Sequence, residues 1–143
     1  MKDYENFIRA LRNLEDINNY EEPYNNVIIT GLVGLYRICF EQCCKAMKEI
    51  LEMHGFQESK VASPRNIIKI AYKEGMIDDE KSWLGALVAR NNVVHAYNKA
   101  IALYIVTETK NTYVPMFMKL EETLKEDWIL EENNKIIMEK TFK

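Results

Sequence analysis

Residues 24–53 read YNNVIITGLVGLYRICFEQCCKAMKEILEM, and this stretch decides the fold. One row through it is Ile28, Leu32, Leu35, Tyr36, Cys39, Cys43, Ala46, Met47 and Ile50. A second is Ile29, Val33, Tyr36, Phe40, Cys44, Met47 and Leu51. Steps of three and four put these residues on one side of a helix. The apolar face is wider than a surface helix needs, so the helix is expected to be central and to touch several others. On the opposite side Arg37, Glu41, Lys45 and then Lys48, Glu52 alternate in sign at i,i+4. That is the pattern of a solvated face carrying weak helix-stabilising pairs. Gly31 and Gly34 either permit close approach of a neighbour or are tolerated costs.

Shorter helices flank the long one. The first is expected over Asp3–Asn19, with Phe7, Ala10, Leu11, Leu14 and Ile17 on one face, ended by Glu21-Glu22-Pro23. His54-Gly55 closes the long helix with a C-cap glycine. Ser63-Pro64 then opens a third, serine as N-cap and proline at the first helical position. Its apolar side is Ile67, Ile68, Ala71 and Tyr72, and Gly75 stops it. Asp78 or Asp79 caps a fourth helix that carries Trp83, Leu84, Leu87 and Val88 and runs on into Arg90–His95. Asn98 is a turn residue, and a fifth helix follows from about Lys99, which Pro115 should kink or split. Trp128–Met138 contains the turn-prone Glu131-Glu132-Asn133-Asn134, so a small hairpin and another helix are equally plausible there. Long helices with short connections predict an all-α, antiparallel up-and-down bundle of four or five helices, with a small C-terminal extension.

Composition supports this reading. The 143 residues hold only five glycines and three prolines, and 48% are hydrophobic, enough for one domain with its own core. A net charge of −3 and a pI near 5.5 argue against a broad electrostatic footprint for nucleic acid, though local basic pockets remain open. No uninterrupted apolar run is long enough to read as a membrane span. Met1–Glu5 lacks the cationic start and apolar core of a signal peptide, so a cytoplasmic protein is expected, with no role at a membrane. Cys39, Cys43 and Cys44 lie on one helix, are poorly placed to pair with one another, and read as buried reduced thiols. No metal or cofactor is expected.

The segment Arg90-Asn91-Asn92-Val93-Val94-His95-Ala96-Tyr97 carries the chemistry. Leu84, Leu87 and Val88 precede Asn91 by seven, four and three positions, and His95 follows by four, so helical phase aims Asn91 and His95 at the side Leu84 and Val88 are expected to bury. Inward polar groups need partners or cost about 1–3 kcal/mol each. Either the chain supplies those partners, with Arg90 pairing to a carboxylate such as Glu41, or the groups serve a ligand. Arg65, Lys69 and Lys73, spaced by four on the third helix, are either a phosphate-facing strip beside the helix N-terminus or an ordinary solvated face. Tyr97 is either exposed at a turn or packed. His54 reads as a helix-end residue.

Arg-Asn-x-x-x-His-x-Tyr resembles the signature of the HEPN superfamily. The chain also has Phe40-Glu41-Gln42-Cys43-Cys44-Lys45 in the long helix, Ser63-Pro64-Arg65 opening the third and Tyr72-x-x-Gly75-Met76-Ile77 closing it. With Trp83 ahead of the motif, these landmarks resemble the bacterial nucleotidyltransferase substrate-binding protein family. The resemblance spans roughly Asp3 to Lys125, which sets a helical domain at 1–126 and leaves 127–143 as an extension without a counterpart. It implies a bundle that forms a homodimer and partners a minimal nucleotidyltransferase in a two-component, toxin–antitoxin-like system. The function implied is that of an accessory substrate-binding subunit, with RNA or a nucleotide as a candidate ligand. The alternative is a HepT-type toxin, a metal-independent ribonuclease. Carried over to this chain, Arg90 and His95 would be its catalytic pair, Asn91 and Arg65 binding or orienting residues, and Tyr97 the acceptor of AMP.

Such chemistry suits the residue types. A histidine transfers protons near neutrality, and an arginine offers a charged planar fork to phosphate oxygens. One of each is thin equipment for RNA cleavage, and pairing of two fourth helices would bring two sets together.

Overall fold

In a computed structural model, residues 1–129 are described, and every regular element among them is helical. We label the α-helices α1 (Lys2–Glu15), α2 (Asn26–Met53), α3 (Pro64–Lys73), α4 (Glu80–Asn91), α5 (Lys99–Glu108) and α6 (Val114–Thr123). Tighter 3₁₀ turns at Asp16–Asn19, Gln57–Val61 and Asn92–His95 follow α1, α2 and α4. The ends follow the capping residues. Asn25 accepts from the Ile28 N–H at 2.9 Å to start α2, and Ser63 from Asn66 at 3.3 Å to start α3. Of the two aspartates before α4 it is Asp79 that caps, accepting from the Ser82 N–H at 3.1 Å. Gly55 and Gly75 sit at φ 87° and 79°, where a side chain would be strained, and they turn the chain out of α2 and α3.

The long helix is central, as its two rows require. It lies antiparallel on α1, and the Glu49 carboxylate near its end accepts from the Asp3 and Tyr4 backbone N–H groups at 3.2 and 3.1 Å. Those donors have no partner inside α1, so one acidic side chain of α2 caps its neighbour. By length and composition α2 would also pass as a membrane span, but its apolar rows are the bundle core. Gly31 and Gly34 admit no close neighbour, since a Cβ at either would meet nothing within 4 Å. They are tolerated costs.

The core is aromatic at its centre. Tyr36 stacks on Tyr113 at 5.2 Å, and Phe117 meets Phe7, Tyr36 and Trp83 at 6.3, 6.3 and 5.7 Å between ring centroids. Burial raises the Tyr36 hydroxyl far above its ordinary range, and it stays protonated to donate to the Ala86 carbonyl. All three cysteines are free and buried.

Pro115 splits the α pattern without breaking the helix. A wide π turn over Thr109–Tyr113 joins α5 to α6, and a second over Leu124–Ile129 continues α6. Proline lacks an N–H and its ring crowds the carbonyl four residues back, and a widened turn relieves both. Tyr72, expected on the apolar side of α3, is instead 48% exposed, because Ile67, Ile68 and Ala71 alone fill that contact. Trp128 packs edge-on to His54 at 4.8 Å, and the His54 Nε2 lies 3.0 Å from its carbonyl oxygen. The rest of the segment read as either a hairpin or a helix lies outside the described residues.

Candidate functional site

Helix α4 carries the motif, and its phase differs from the sequence expectation. The buried row is Trp83, Ala86, Leu87 and Ala89. Arg90 continues it, seven residues after Trp83, and so points toward α2. The row Leu84, Val88, Asn91 does share a face, but that face turns outward. Leu84 is half-buried, Val88 is 58% exposed, and both Asn91 and His95 are exposed. The inward placement expected for Asn91 and His95 is therefore corrected. Two apolar residues on the row do not make it the core row when Trp83 and Leu87 offer more area to bury.

Arg90 pairs with Glu41. Its Nε and Nη2 donate to one Glu41 oxygen at 3.3 and 3.1 Å, and its Nη1 donates to the Asn91 side-chain oxygen at 3.2 Å. Beside this pair is a cleft of about 290 Å³, walled by Phe40, Cys44, Ala62, Pro64 and Ile67 and edged by Lys45 and Lys48. Burial pushes the Cys44 thiol up to about 12; nearby Arg90 opposes this and Glu41 adds to it. At neutral pH Cys44 is an uncharged wall residue.

The 3₁₀ turn after α4 changes the periodicity from 3.6 residues to about three per turn, which carries His95 away from this cleft. The His95 ring instead meets Tyr97 edge-on at 6.2 Å, and Tyr97 is 86% exposed. No hydrogen bond among the described residues joins His95 to Arg90. Arg65 is exposed on the first turn of α3, while its neighbour Pro64 is the residue that enters the cleft. The structure thus brings Arg90, Asn91 and Glu41 together, sets His95 with Tyr97, and leaves Arg65 apart. Lys45 and Lys48, read from sequence as part of a solvated face, border the cleft. Their signal was present: with Glu41 and Cys44 they fall at steps of three and four.

A groove of about 410 Å³ lies between α4 and α5, lined by Gly85, Val88, Ala89, Ile101 and Tyr104 among others. With Tyr104 61% and Val94 74% exposed, the end of α4 and the start of α5 form the most open apolar surface near the motif.

The profile of one protein family, nucleotidyltransferase substrate binding protein like, matches residues 2–126. The chain belongs to that family. Solved structures agree on the family fold. A protein from Thermus thermophilus is 24% identical, with a TM-score of 0.66 over 82% of this chain and 94% of that one. A protein from Haemophilus influenzae, whose structure is described as revealing the fold of a substrate binding domain of a nucleotidyltransferase, is 17% identical. Its TM-score is 0.65 over 87% of this chain and 96% of that one. Comparison with curated proteins finds no match.

Proposed function

We propose that this chain is an accessory substrate-binding subunit for a separate minimal nucleotidyltransferase, in a two-component, toxin–antitoxin-like system, and that it works as a homodimer. The observation that carries the reading is the open face of α4 and α5. Val88 and Tyr104 are exposed along a groove, and Val94 and Tyr97 are exposed on the chain between α4 and α5, although the chain has a core able to bury such residues. Contiguous apolar surface of this kind marks contact with other proteins. Every regular element among the described residues is helical, so the strand-borne carboxylates that nucleotidyl transfer needs are expected on the partner chain.

Co-expression with a minimal nucleotidyltransferase tests the proposal. The two chains should co-purify, and Val88→Glu with Tyr104→Glu should abolish dimerisation, partner binding or both while leaving helicity intact. Retention of both associations in that variant refutes the role of this face.

A second reading, a HepT-type ribonuclease of the HEPN superfamily, draws support from the exposure of His95 and Tyr97. Arg90 would hold the scissile phosphate, His95 would move the proton, Asn91 and Arg65 would orient the RNA, and Tyr97 would accept AMP. Arg90 is engaged by Glu41 and not by His95, which favours the accessory role. RNA cleavage by the purified chain, abolished by His95→Ala, would reverse that preference. AMP on Tyr97 after co-expression, read by mass spectrometry, would place the partner's chemistry on this chain.

A further inference from the structure

The cleft beside Arg90 is chemically more specific than its family role requires. A guanidinium has five N–H donors. Glu41 receives the one on Nε and one on Nη2, and Asn91 receives one on Nη1. Among the described residues this leaves one N–H on each terminal nitrogen. Two such donors can fork onto two oxygens of a phosphate. The Arg90 side chain is 36% exposed and lines the cleft, which is open to solvent.

The surrounding charge matches. Lys45, Lys48 and Arg90 edge the cleft against one carboxylate, Glu41, so it is locally cationic on a chain whose net charge is −3. A carboxylate ligand would satisfy the fork alone. A phosphomonoester, with a charge of about −1.5 to −2 at neutral pH and a third oxygen, also engages the lysines. The remaining wall is apolar, formed by Phe40, Ala62, Pro64 and Ile67. A volume of about 290 Å³ suits one phosphate and one ring.

We propose that this cleft binds a small phosphomonoester carrying an aromatic body, with the phosphate on the free fork of Arg90 and on Lys45 and Lys48, and the ring against Pro64 and Ile67. Glu41 and Asn91 are positioning residues: by occupying the other edges of the guanidinium they turn the fork into the cleft. The proposal rests on the substrate-binding reading and names the chemical class that site would take.

The test is a ¹H–¹⁵N NMR titration of the isolated full chain with phenyl phosphate, inorganic phosphate and phenol. Phenyl phosphate should give saturable shifts at the Arg90 Nε–H and at the backbone amides of 40–48 and 62–67. Lys45→Gln with Lys48→Gln, both outside the core, should weaken binding about tenfold or more. Arg90→Lys should weaken it comparably although the charge is kept, because the fork is lost. Absence of saturable shifts at millimolar phenyl phosphate overturns the proposal, as does unchanged affinity in both variants. Inorganic phosphate or phenol binding as tightly as phenyl phosphate overturns it too, since one half of the cleft would then be idle. The readout needs no partner, so its failure and a failure to co-purify with a nucleotidyltransferase are separate results.

Discussion

The two halves of the α4 segment behave in opposite ways. From Trp83 to Ala89 the helix buries one residue at nearly every inward position, and Trp83 closes on the Phe117 ring. From Arg90 to Tyr97 no residue is fully buried and the backbone tightens to 3₁₀. The first half is held by area removed from water. The second has only Val93 and Ala96 partly packed on the core, with an Arg90–Glu41 ion pair, an Arg90–Asn91 hydrogen bond and a ring contact beside them. Function is therefore expected where stability is least invested, and substitutions should separate the two halves cleanly.

The sharpest break is at Phe117, fully buried against Phe7, Tyr36 and Trp83. Phe117→Ala should cost about 3–5 kcal/mol by urea denaturation, whereas Val94→Ala in the open half should stay within about 0.5 kcal/mol. Similar losses at both sites would mean that the open half is packed in solution. A smaller effect is expected at Tyr36, whose hydroxyl donates to the Ala86 carbonyl inside the core. Tyr36→Phe keeps the ring and should cost about 1–2 kcal/mol, chiefly from the lost bond.

How legible this contrast is in the sequence depends on which force sets each residue. The rows of α2 announce a central helix because periodicity reports burial directly, and the caps at Asn25, Ser63 and Asp79 are local backbone chemistry. The phase of α4 is harder. Leu84 and Val88 look like core residues until Trp83 and Leu87 compete for the same interior, and that competition is settled by α2 and α6, far away in sequence. The pairing of Arg90 with Glu41 was legible as a candidate because an arginine on α4 needs a carboxylate, and α2 supplies one. Lys45 and Lys48 could not be assigned to a cleft, because its other wall, Pro64 and Ile67, arrives through a connection whose path the sequence does not specify. Pro115 signals disruption, but whether a kink, a break or a wide turn results depends on packing around Tyr113 and Phe117.

Electrostatics can sharpen the comparison at moderate cost. Burial pushes the Glu121 carboxyl up, but the hydrogen bonds and charge of Arg12, with Lys125, outweigh it and hold the group below its ordinary value. Arg12 is raised in turn, mainly by its hydrogen bonds to Glu121. A carboxyl lowered in the folded state adds stability above its unfolded pKa of about 4.3, and that stability is lost as pH falls through the folded value. Glu121→Gln should thus lose about 1 kcal/mol at pH 7, the Arg12 side being solvent-screened. The gap between wild type and variant should close as the pH drops below about 4. A gap that stayed constant into acid would show that the charge is not what Glu121 contributes.

The smallest effect belongs to the pair at the boundary of the two halves. Arg90 and Glu41 are about equally exposed, at 36% and 39%, and share a single carboxylate oxygen. Exposed pairs of this kind are worth about 0.2–1 kcal/mol in double-mutant cycles and are weakened by salt. Arg90→Ala, Glu41→Ala and their combination should therefore give a coupling energy in that range by urea denaturation, falling further at high salt. If Glu41 serves mainly to aim the guanidinium, Glu41→Gln should leave stability almost unchanged while altering the Arg90 Nε–H resonance. A coupling of several kcal/mol would instead make the pair a structural clasp, and the end of α4 would then belong with the packed half.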